Sequence, residues 1–99
     1  MSRLQEMLQK EPNDTFLLYG LALEHKKLGQ YEQAISLLNR LIELHADHCA
    51  AHHQRGQTYE LAGQRPAARQ AYREGIAAAI RVGNGHARRE MEQELSLLE

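Results

Sequence analysis

The stretch that decides the fold is Cys49 to Val82, CAAHHQRGQTYELAGQRPAARQAYREGIAAAIRV. Gly63-Gln64 interrupts it near the middle and leaves an interval of helical length on each side. Pro66 follows the interruption, at the start of a helix, where its missing amide has no intrahelical partner and its ring presets φ near the helical value. The stretch before it has the same layout. Leu18, Leu21, Ala22, His25 and Leu28 recur at helical spacing, Gly29-Gln30 interrupts, and Ala34, Ile35, Leu37, Leu38, Leu41, Ile42 and Leu44 resume the pattern. No segment alternates with period two, so no strand is expected. With further breaks at Pro12-Asn13-Asp14, Ala46-Asp47-His48 and Gly83-Asn84-Gly85, the punctuation predicts six helices and an all-α fold.

One constant shift aligns the chain with itself: Gly29 falls on Gly63, Gln30 on Gln64, Ala34 on Ala68 and Ile42 on Ile76. Ala22 meets Gly56, His25 meets Tyr59, and Leu38 meets Tyr72. The same shift backwards sets Leu4, Met7, Leu8 and Pro12 on Leu38, Leu41, Ile42 and Ala46. The expected organisation is a single domain over 1–99: a trailing half-repeat (1–14), two whole repeats (15–48 and 49–82) and a capping helix (83–99).

These residues resemble the tetratricopeptide repeat family, whose unit of helix, turn and helix has the same period, about 34 residues. The second unit carries the motif best, with Gly56, Tyr59, Gly63, Ala68, Tyr72 and Gly75 at the family's small, aromatic and turn positions. Small residues let paired helices approach, and Leu18, Leu38 and Tyr72 fill the gaps between pairs. The first unit departs from the pattern with His25 for Tyr, Leu41 for a small residue and Ala46 for Pro. The resemblance covers the chain up to Gly83 and implies an α-solenoid of antiparallel helix pairs. The whole is similar to small stand-alone bacterial members of the family, whose activities are mostly unassigned.

The last helix breaks the pattern. Ala87, Met91, Leu95 and Leu98 form its apolar stripe, while Glu90 stands where a small residue belongs, so either the turn shifts register by one residue or the helix rotates. A polar outer face suits a cap.

The resemblance also implies where a ligand lies, in the concave groove lined by the first helix of each pair. The corresponding residues are Phe16, Tyr19, Leu23 and Lys26, then Ala50, His53, Gln57 and Glu60. Phe16 and Tyr19 are the expected anchors, because aromatic hot spots cost about 2 kcal/mol or more on truncation. The competing reading packs Phe16 on the end of the first helix and Tyr19 on Leu8 or His53. The family subclass that clamps a terminal carboxylate uses two Asn, where this chain has Leu23 and Gln57, so that chemistry is not expected.

Lys and Arg number 12 against 13 Asp and Glu, a balance without the field that gathers nucleic acid or an anionic membrane. Neither partner class is expected. Cys49 is the only cysteine, the N-terminus has no basic segment followed by an apolar run, and no stretch approaches the length of a membrane span. The chain is expected in the cytoplasm. His45, His48, His52 and His53 crowd around Cys49, and His48 with His52 has the four-residue spacing of a metal pair. The turn that carries His45 and His48 makes the rings diverge, and a backbone carbonyl partner explains His52 equally well. No metal and no cofactor is expected. Ser2, Ser36, Thr58 and Ser96 lie in no nucleophile turn, and no catalytic residue is expected. What remains is a module that binds another protein; the alternatives are one that self-associates as a homodimer through apolar ends at Leu4 and Met7 and at Leu97 and Leu98, and a metal-responsive protein using His48, Cys49 and His52.

Overall fold

A computed structural model describes residues 2–99; Met1, the first residue of the expected half-repeat, lies outside the described residues. Six helices run in order: α1 (Arg3–Lys10), α2 (Thr15–Lys27), α3 (Tyr31–Leu44), α4 (Cys49–Leu61), α5 (Arg65–Val82) and α6 (Gly85–Leu98). The described residues contain no strand, and none of their helices is long and apolar enough to cross a membrane.

Four of the six helices open on a side-chain cap. Ser2 opens α1 with a reciprocal pair in which its hydroxyl accepts from the Gln5 amide at 3.2 Å while the Gln5 side chain accepts from the Ser2 amide at 2.8 Å. Asp14, His48 and Asn84 cap α2, α4 and α6 by accepting from Leu17, Ala51 and Ala87 amides at 3.0, 3.1 and 3.0 Å. Gly29 and Gly63 take φ of 77° and 78°, left-handed backbone that L-residues with side chains adopt at a cost. In each turn the amide after the glycine donates to a carbonyl five residues back, Gln30 to His25 and Gln64 to Tyr59, both at 2.9 Å. Two matching turns one period apart are the repeat expressed as backbone geometry.

Successive helices pack on one another and bury two linked clusters. Leu18, Ala22, Leu38, Leu41 and Ala51 tie α2, α3 and α4 together, and Cys49, Ala68, Tyr72, Ala79 and Met91 tie α4, α5 and α6 together. A fully buried leucine contributes about 1.5–3 kcal/mol relative to exposure, so Leu18, Leu38 and Leu41 anchor the first cluster. The small residues permit the second. A Cβ on Gly56 would lie 2.7 Å from Cδ1 of Tyr72, and one on Gly75 would lie 2.7 Å from the His52 Cβ and closer still to the Met91 sulfur.

The irregularity at the last helix has a different origin from a one-residue shift. The step between the helix caps His48 and Asn84 is two residues longer than the step between Asp14 and His48. Helix α5 has 18 residues where α3 has 14, because nothing in Ala77 to Val82 interrupts it before Gly83. The longer helix and shorter turn bring Met91 into full burial against Gly75.

Candidate functional site

Helices α2, α4 and α6 share one face, and their C-terminal halves enclose an open cavity of ≈ 390 Å³ lined by Lys26, Gln57, Glu60, Leu61, Glu94 and Leu97. Tyr72 of α5 lies behind it and contacts two of its lining residues, Glu60 and Glu94. The Tyr72 ring is fully buried under Gly56, and its hydroxyl, buried with it, sits between two carboxylates, against Glu60 and at 2.5 Å from Oε2 of Glu94. The other oxygen of Glu94 lies 2.9 Å from Nε2 of His53 and 3.3 Å from Nε2 of Gln57. On the opposite wall the Lys26 ammonium donates to side-chain carbonyls of Gln54 at 2.8 Å and Gln57 at 3.0 Å. One hydrogen-bonded network therefore ties together all three helices that form the face.

The network sets the charge states. Burial pushes the Tyr72 phenol up, and hydrogen bonds to Glu60 and Glu94 push it further, so it stays a proton donor. Burial alone would raise the Glu94 carboxyl, but hydrogen bonds from Tyr72 and His53, the charge of His53 and a hydrogen bond from Gln57 outweigh it and hold it below the usual range. Burial also lowers the Lys26 ammonium, with the Glu94 charge opposing. The site therefore has a mixed polar lining, with carboxylates that accept and an ammonium that donates. Its rim is apolar: Leu61 is 56% exposed and Leu97 78% exposed.

Comparison with known proteins meets this architecture at the level of the repeat. The tetratricopeptide repeat model matches residues 1–54. The TPR repeat-containing protein PA0015 of Pseudomonas aeruginosa is 32% identical over 88 residues, covering 89% of this chain and 84% of its own. The chain belongs to the tetratricopeptide repeat (TPR) family. Among solved TPR-like structures, protein BPP2914 from Bordetella parapertussis superposes with a TM-score of 0.85 at 27% identity, over 97% of this chain and 84% of that one. PcrH, solved in complex with the chaperone binding region of PopD, shares the fold with a TM-score of 0.88 at 16% identity, over 96% and 72%.

Within the TPR frame, the structure divides the residues expected to line the groove. Lys26, His53, Gln57 and Glu60 meet in the network. Phe16, Tyr19 and Leu23 do not line the cavity. Phe16 is 78% exposed and so is not packed on the end of α1, and Ala50 is exposed beyond the network. Tyr19 is half-buried against the first core cluster, with its ring 5.6 Å from that of His48 at a tilt of 34°. Its aromatic neighbour is thus His48 and not His53. The histidines have separate uses. His48 caps α4 through Nδ1, the His52 Nε2 pairs with the Ala46 carbonyl at 2.8 Å, and Cys49 donates to the Asp47 carbonyl at 3.6 Å.

Five parts of the site were not anticipated as groove residues: Leu61, Glu94 and Leu97 of the lining, Gln54 beside Lys26, and the Tyr72 hydroxyl. Glu94 follows Glu60 by the same interval that separates Gly29 from Gly63, the one signal that pointed to it, but the longer step between the caps of α4 and α6 leaves its place on the groove to the packed structure. The TPR cap helix is therefore a wall of the groove as well as a lid on the core. The Tyr72 hydroxyl had no such signal, because an aromatic at a packing position does not reveal which way its polar end points.

Proposed function

We propose that this TPR protein is a non-enzymatic adaptor that holds a segment of another protein along the face shared by α2, α4 and α6. The observation that carries this reading is the pairing of Leu61 and Leu97, both exposed on the rim, with a pre-formed set of polar lining groups. Apolar walls contribute binding free energy, and fixed polar groups orient the ligand. Proteins of the family are generally interaction modules, and the related fold of PcrH holds a region of PopD. Cys49 is the only thiol in the sequence, which fits a reducing compartment, and the cytoplasm is the proposed site of action.

The test compares what three folded proteins retain from a lysate of the source organism: the wild type, a Leu61→Ser, Leu97→Ser variant, and an Ile80→Ser control on α5 outside the cavity. A protein held by the wild type and the control and lost by the groove variant supports the reading. Identical sets for all three, or none retained by any, refute it.

A further inference from the structure

The cavity between Leu61 and Leu97 has room for one long side chain, and its hydrogen-bond inventory is unbalanced. The Tyr72 hydroxyl carries one proton but lies against oxygens of two carboxylates, so it satisfies one and turns a lone pair to the other. His53 and Gln57 both address Oε1 of Glu94 and give nothing to Glu60. Lys26, the only cation among the cavity's lining residues, is turned to the amides of Gln54 and Gln57. Glu60 is exposed and has no ion-pair partner among the described residues. Counted over the lining residues, Glu60 and Glu94 against Lys26 leave one net negative charge beside two exposed leucines.

We infer that this end of the groove selects a partner segment in which a lysine or arginine stands next to a large aliphatic residue. The cationic head supplies the ion-pair partner that Glu60 lacks among the described residues, its methylene stem lies along Leu97, and the neighbouring aliphatic side chain covers Leu61. A terminal carboxylate, the opposite ligand, would meet Glu60 and Glu94 and be repelled. The inference rests on the groove reading above and adds the chemistry of its occupant.

The probe is a library of random twelve-residue peptides selected on the purified full chain. Enriched sequences are then measured individually against the wild type, a Glu60→Gln variant and a Leu61→Ser, Leu97→Ser variant, each checked for native helicity. The expected result is enrichment of Lys or Arg beside Leu, Ile or Phe, with binding about tenfold weaker for Glu60→Gln and weaker in high salt. Glu60 is exposed, so its neutral isostere leaves the core intact. Peptides that lack a basic residue and lose affinity only with the leucine variant overturn the inference and leave the groove reading standing. Peptides indifferent to both variants, or no enrichment at all, overturn both. Sedimentation of the protein alone provides the remaining arm: a dimer dispersed by Leu97→Ser makes a second copy the occupant and overturns the basic partner.

Discussion

Replacing Tyr72 with phenylalanine removes one oxygen and keeps the ring that Gly56 accommodates, so it isolates the polar network from the packing around it. The Tyr72 ring has no exposed surface, and its hydroxyl lies 2.5 Å from a Glu94 oxygen. Hydrogen bonds to charged groups contribute about 1.5–3 kcal/mol net. Glu94 is 30% exposed, and water replaces part of what the phenol provides, which places the expected cost at the lower end, about 1.5 kcal/mol. For a chain of this size each kcal/mol lowers Tm by about 4–8 °C, so the variant melts roughly 6–12 °C below the wild type at neutral pH. The cost also depends on pH. Because the folded Glu94 carboxyl sits below its ordinary value of 4.5, its contribution is complete above that value and fades as pH falls through the folded pKa. The penalty of Tyr72→Phe therefore shrinks as pH falls below that ordinary value and through the lowered folded one. Thermal unfolding followed by circular dichroism at neutral and acid pH measures both quantities. Repeating it in a Glu94→Gln background gives the coupling between the two side chains. An unchanged or raised Tm at neutral pH, or an equal penalty at both pH values, would refute the assignment of the network as a stabilising element.

Two further outcomes follow from the packing. Gly56→Ala improves helix propensity by about 1 kcal/mol yet drives a methyl into the buried Tyr72 ring, where overpacking costs about 1–3 kcal/mol, so Tm is expected to fall; a rise would show that the ring has room to move. For His52, burial lowers the imidazole pKa against the opposing hydrogen bond to the Ala46 carbonyl, with Arg55 and Arg81 adding to the lowering and Glu74 opposing it. The unfolded chain then binds the proton more tightly, so stability falls as pH drops below the ordinary value of 6.5; a ring resonance titrating at or above that value would contradict the burial argument.

Helix α6 shows where reading the residues stops working. Its stripe of Ala87, Met91, Leu95 and Leu98 correctly marks the buried side, yet the same residues leave the relation of α6 to α4 open. That relation depends on where α5 stops, and α5 runs one turn further than α3 before Gly83 ends it. Tyr19 shows the same limit at the other end of the chain. Its place in the first helix of a repeat is readable, but its ring partner, His48, is chosen by the turn after α3.

The helices, their punctuation and the period were all legible in the order of the residues. Capping side chains, positive-φ glycines and helical spacing act over a few residues, and one constant shift makes those local signals repeat. Gly56 and Gly75 were legible as close approaches too, because small residues at matching positions have few other uses in a packed helix pair. Three facts emerge only from the packed molecule: Glu94 closes the groove, one phenol proton faces two carboxylates, and Lys26 turns to glutamine amides. They depend on the relative rotation of α2, α4 and α6, which is set by the summed packing of the core between them and by no single residue.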